Sequence, residues 1–125
     1  MRKAIFGIAC AAIAGTAYAQ LVELKLAPGE AVEKRLTVAP GKFTELCIPV
    51  KKGRAVGWRF QADGPTDFNI HYHYFKQVKY PERRKNVREA SGRLAVGLDQ
   101  DYCWLWANRS TEPLALNVNL QEMAR

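Results

Sequence analysis

From Gln20 onward, apolar and polar residues alternate with a period of two, and Pro, Gly, Asn or Asp breaks the alternation roughly every 8–12 residues. That pattern predicts antiparallel strands and no helix. The expected strands cover residues 21–26, 31–38, 43–50, 55–62, 66–75, 93–98, 102–108 and 114–120, and residues 76–80 are open to continuing the fifth as far as Pro81. Eight or nine short strands imply an all-β, antiparallel β-sandwich or jelly-roll-like domain. The turns fall at Ala27-Pro28-Gly29, Pro40-Gly41, Lys51-Lys52-Gly53 and Asp63-Gly64-Pro65.

Alternation also assigns faces. Val56, Trp58 and Phe60 share one face of their strand while Arg59 and Gln61 take the other. Leu114, Leu116, Val118 and Leu120 likewise oppose Asn117, Asn119 and Gln121. Tyr102, Trp104 and Trp106 stand opposite Cys103, Leu105 and Ala107, so this strand is apolar on both faces and belongs in the middle of the structure.

The first residues follow a different rule. Arg2 and Lys3 precede an apolar run from Ala4 to Gly15, and Ala17-Tyr18-Ala19 forms an A-x-A site, which together predict a signal peptide over residues 1–19 cleaved before Gln20. Residues 20–125 then form a single domain, periplasmic or secreted, of a size that buries roughly two-thirds of the unfolded chain's surface. No later stretch approaches the length of a membrane span. A multidomain enzyme and a doubly wound nucleotide-binding fold are excluded by length and pattern.

Removing the signal removes Cys10 and leaves the pair Cys47 and Cys103. In an exported domain an even pair reads as a disulfide, with two buried thiols as the other reading. The bridge would close a loop 56 residues long, contributing on the order of 4 kcal/mol in the chain-entropy account.

Glu45-Leu46-Cys47 with Lys52-Gly53, then Asp67-Phe68-Asn69-Ile70, Gly92-Arg93-Leu94 and Tyr102-Cys103-Trp104-Leu105-Trp106-Ala107-Asn108, resembles the Golgi-dynamics (GOLD) domain of luminal cargo receptors over residues 43–120. The resemblance implies a β-sandwich with one disulfide that binds proteins and carries no catalytic residues. Relative to that family's pattern, Cys47 lies two residues later and Cys103 two earlier; on antiparallel strands these shifts cancel and keep each cysteine on its face. The coiled-coil and membrane segments of such receptors are missing from this chain, so the resemblance implies no trafficking role.

Candidate chemistry is sparse. Both histidines lie in Asn69-Ile70-His71-Tyr72-His73-Tyr74, where a strand puts Asn69, His71 and His73 on one face and Phe68, Ile70, Tyr72 and Tyr74 on the other. Two imidazoles at this spacing can hold Cu(II) or Zn(II) if a third ligand joins them, and Glu45, Asp67 and Met123 are the candidates. The other readings are two histidines on a polar strand face, or hydrogen bonding to a ligand. A blue-copper centre is excluded because no His or Met closely follows Cys103 in the manner such a site needs. Ser91 and Ser110 are expected in turns and lack a nucleophile motif, so an enzyme is not expected. Asn108-Arg109-Ser110 matches a glycosylation acceptor and also a turn after a strand; the turn reading is preferred.

Charge adds one feature. Without Arg2 and Lys3, Lys and Arg exceed Asp and Glu by five, and residues 76–93 carry that whole excess in Lys76, Lys79, Arg83, Arg84, Lys85, Arg88 and Arg93 against Glu82 and Glu89. The expectation is an exposed excursion between strands that serves either as a solvated loop or as a patch for an anionic partner: a protein, a glycan or an anionic membrane surface. Nucleic acid is disfavoured by the compartment and by the lack of a recognition motif. The sequence thus predicts an exported, non-catalytic binding module, with a periplasmic metal-binding protein built on His71 and His73 as the alternative.

Overall fold

A computed structural model describes residues 20–124. The expected signal segment lies outside the described residues. Within them the chain is all-β, with seven strands: β1 (Gln20–Glu23), β2 (Ala31–Val38), β3 (Phe43–Val50), β4 (Arg54–Tyr74), β5 (Gln77–Ala95), β6 (Gln100–Ala107) and β7 (Leu114–Ala124). The strands form one nearly closed sheet in the order β1-β3-β6-β4-β7-β2, with β5 along the remaining edge of β4.

Three expected turns are made as foreseen. Pro28-Gly29, Pro40-Gly41 and Lys52-Gly53 each place glycine at positive φ, 78°, 69° and 86°, where only a residue without Cβ is unstrained. The fourth is not a turn. Residues 55–62 and 66–75, expected as two strands, are one strand of 21 residues that bends at Asp63-Gly64-Pro65. Its first half pairs with β7, as far as Ala62↔Leu116, and its second half with β6, from Asp67↔Ala107. β4 thereby passes from one sheet layer to the other, the usual way a sandwich makes a corner.

Side chains bridge the gap in the ladder. Asp63 Oδ1 accepts the Ala115 N–H (2.9 Å) on the β7 side, and Thr66 Oγ1 donates to the Ala107 carbonyl (2.8 Å) on the β6 side. Residues of even number, from Val56 to Tyr72, keep facing the core across the corner. Trp58, Phe60, Phe68 and Trp106 form its aromatic centre, with ring centroids 4.7–5.8 Å apart. All three tryptophans are core residues, and β6 lies between β3 and β4 as its two apolar faces require.

Two further expectations are corrected. The segment from Lys76 to Arg93 is no irregular excursion but the edge strand β5, which forms a long hairpin with β4. It escaped the alternation because an edge strand wet on both faces has little apolar surface to alternate; only Val87, Ala90 and Leu94 pack on the core. Its Lys, Arg and Pro81 are what an exposed edge carries to resist pairing with another chain. Against the expectation of a purely antiparallel sheet, β1 runs parallel to β3, from Gln20↔Thr44 to Glu23↔Cys47.

Candidate functional site

The registers of three adjacent strands assemble a polar cluster on the outer face of the sheet. Core-facing Leu46, Ile48 and Val50 leave Glu45 and Cys47 pointing outward from β3. Cys47 lies directly opposite Cys103 on β6, and Cys103 directly opposite His71 on β4. The cysteines form the expected disulfide, with Cα atoms 4.1 Å apart.

His71 is buried to 6% exposure at the centre of this face. Its Nε2 lies 3.0 Å from Glu45 Oε1, and its Nδ1 lies 2.8 Å from Asn69 Oδ1. Burial pushes the His71 pKa below the ordinary histidine value; the Glu45 carboxylate pulls the other way, and His73 adds to the lowering. His73 shares the face, as expected, with its ring centroid 5.5 Å from that of His71, but it is exposed. Tyr80 of β5 borders His71 from the other side, and Arg83 stacks on the Tyr80 ring at 3.6 Å.

Of the three candidate partners for the histidine pair, only Glu45 reaches it. Asp67 is engaged elsewhere: its carboxylate pairs with Arg109 Nε (2.6 Å) and accepts the Asn86 N–H (2.9 Å), holding a β5 residue whose φ is 55°. Met123 stands opposite Ala55 near the start of β4. Glu45, His71 and Cys103 bring one donor atom each within 4.8 Å of one another, a group that excludes His73 and includes a sulfur already in the bridge.

The second feature is the tip of the β4–β5 hairpin. Tyr74 pairs with Gln77, so Phe75 and Lys76 make a two-residue turn. Phe75 is 88% exposed, its φ is 55°, and its ring meets that of Tyr74 edge-on at 4.7 Å. A bulky residue in that backbone region is strained. Val78 and Tyr80 are exposed beside it. The basic residues singled out by charge follow along β5. Arg84 pairs with Glu82 (2.7 Å) and Arg83 with the Tyr80 ring, whereas Lys76, Lys79, Lys85 and Arg88 make no ion pair among the described residues. The charge sum found these cations; no sequence signal marked Phe75, because its importance lies in its place at a hairpin apex.

The remaining polar features are structural. Asn108 is buried, and its amide donates to the Val38 and Glu112 carbonyls (3.1 and 2.7 Å) while its oxygen accepts from Ser110, so the acceptor-like triplet is a turn. A groove of ≈ 780 Å³ is lined by Leu26, Pro49, Lys52 and Asp99, among others, and by the Arg54–Glu122 ion pair. Asp99 accepts the Lys52 N–H there (2.6 Å).

No protein-family model matches the chain, and no curated protein matches it in sequence. Solved structures do resemble its fold. The crystal structure of Aeromonas hydrophila PliG, a periplasmic lysozyme inhibitor of g-type lysozyme, superposes with a TM-score of 0.62 at 12% identity over 84% of this chain and 97% of that one. PliG of Salmonella Typhimurium gives 0.61 at 12% identity over 82% and 97%. The pre-peptidase C-terminal domain of Bacillus anthracis collagenase gives 0.58 at 8% identity over 82% and 95%. These likenesses establish a small all-β fold, the fold of the PliG inhibitors and of the collagenase pre-peptidase C-terminal domain, and they are not specific to the GOLD domain.

Proposed function

We propose that this chain is an exported, non-catalytic protein-binding module whose contact element is the tip of the β4–β5 hairpin. The observation that carries the reading is Phe75, exposed at the apex of the hairpin in a backbone conformation that costs stability. Solubility and folding gain nothing from such a residue, whereas binding does: aromatic side chains and Arg dominate the centres of protein interfaces. Tyr74, Val78 and Tyr80 extend the apolar contact, and the cations of β5 suit a partner with an acidic surface.

The signal pattern of residues 1–19 and the fold shared with periplasmic inhibitors support an extracytoplasmic location. Those inhibitors act on a protein, g-type lysozyme, which makes a protein the partner class favoured over glycan or membrane. The test is a photoreactive phenylalanine analogue placed at position 75, with exposed Leu98 as the control position, crosslinked in the native compartment. A discrete protein adduct from position 75 alone is expected. Equal labelling from both positions, or none from 75, overturns the reading. Assaying g-type lysozyme activity with the purified domain then decides whether this chain shares the inhibitors' target.

A further inference from the structure

The cluster around His71 gathers side chains of metal-ligating types beside the Cys47–Cys103 bridge. Three ligand types converge there, from strands whose ladders fix their spacing: Cys47 and Glu45 on β3, Cys103 on β6 and His71 on β4. Tetrahedral zinc, with bonds of about 2.0–2.3 Å, wants its donors roughly 3.3–3.8 Å apart. Glu45, His71 and Cys103 already hold theirs within 4.8 Å of one another, with Nε2 to Oε1 at 3.0 Å, and Cys47 Sγ is bonded to Cys103 Sγ.

A second, independent observation comes from the far side of the ring. Metal-ligating histidines almost always donate their other N–H to an oxygen, which fixes the tautomer. Asn69 Oδ1 sits 2.8 Å from Nδ1 and plays that part, directing the Nε2 lone pair toward Glu45. With acceptors against both nitrogens of a buried ring, the arrangement is completed by a cation between Nε2 and the carboxylate, or by a proton.

We propose that reduction of the Cys47–Cys103 bridge by a dithiol opens a Zn(II) site whose four ligands are the two thiolates, His71 Nε2 and a Glu45 carboxylate oxygen. The dithiol supplies two electrons and two protons: its own sulfurs join as the Sγ–Sγ bond breaks, and the protons pass to the two released thiols. Zinc then displaces those protons as the two Zn–S bonds form. A borderline-soft ion matches this mixed S₂NO set, and His73, exposed and outside the cluster, is not a ligand. Asn69 is a positioning residue.

The experiment compares oxidised and reduced protein by Zn(II) calorimetry, with Co(II) as the spectroscopic probe. The reduced protein is expected to bind one Zn(II) about 100-fold or more tighter than the oxidised form and to show thiolate-to-cobalt charge-transfer absorption. His71→Ala and Glu45→Gln should each weaken Zn(II) about tenfold or more, Asn69→Ala about tenfold, and His73→Ala not at all. Near-UV circular dichroism of the buried tryptophans monitors folding throughout. The Cys47→Ser variant keeps Cys103, His71 and Glu45 together without any reductant, and it should also give the cobalt–thiolate band. Equal affinity in both redox states, unchanged affinity in His71→Ala, or no band in folded Cys47→Ser overturns the proposal.

Discussion

Gly92 stands directly across the β4–β5 ladder from Trp58, and the indole fills the space that a side chain at position 92 would need. A Cβ there would lie 2.7 Å from Cζ2 and 2.9 Å from Cε2, distances that real Cβ atoms do not show. The ring is packed against Phe68 and cannot retreat without disturbing the aromatic centre. Gly92→Ala is therefore expected to cost about 1–3 kcal/mol in chemical denaturation, as overpacking does. Gly97→Ala is the control: nothing lies within 4 Å of its Cβ, so its stability should stay within about 0.5 kcal/mol of the parent.

The corner of β4 depends on side chains where the backbone ladder stops. Thr66 is buried, and its hydroxyl donates to the carbonyl of Ala107 at the end of β6. Thr66→Val keeps the shape and leaves that carbonyl without its donor, at an expected loss of about 1–2 kcal/mol. Thr66→Ser retains the hydroxyl and should recover most of it. A Val variant as stable as the parent, with the Ser variant less stable, would show that the methyl, not the hydroxyl, matters.

Glu122 sets part of the pH dependence. Its carboxylate is buried beside Arg54, whose Nη2 lies 2.7 Å from Oε2, and it also accepts the Gly29 N–H at 2.9 Å. The Arg54 hydrogen bond, then the Gly29 N–H, holds its pKa below the usual carboxylate value against the opposing effect of burial. A depressed carboxylate contributes stability that is complete above its unfolded pKa, about 4.3, and is lost as pH falls through the lower folded value. Melting curves from pH 7 to pH 2.5 should therefore show Glu122→Gln less stable than the parent at neutral pH and converging with it in acid. His71, also lowered, removes stability as pH falls below about 6.5, a loss that His71→Ala should abolish.

At the hairpin apex, stability and binding should move in opposite directions. Phe75→Gly relieves the positive φ, and after glycine's own entropy cost it should raise stability by up to about 1 kcal/mol while weakening partner binding. Converting Arg83, Arg84 and Lys85 to Gln should change stability by less than about 1 kcal/mol, since exposed charges contribute little. The same triple change should flatten the salt dependence of binding to the crosslinked partner. A Phe75→Gly protein that binds as tightly as the parent would remove the hairpin tip from the interface.

Much of this protein is determined by local chemistry that the sequence displays. Period-two alternation decides which side chains face inward, and from Val56 to Tyr72 that assignment survives even the bend at Gly64-Pro65. Glycine's freedom at positive φ decides the turns at Gly29, Gly41 and Gly53, and the two cysteines from Gln20 onward, an even count, anticipate the bridge. What alternation does not carry is the identity of the neighbouring strand, because ladders are built from backbone groups that every residue shares. Only the tertiary structure decided that β1 lies parallel to β3, that β4 runs on through a corner that reads as a turn, and that β5 is a strand. The same reason governs the site. His71 and His73 are close in sequence, yet the pairing of β4 with β6, and of β6 with β3, gave His71 a disulfide and a carboxylate as companions, and left His73 in solvent.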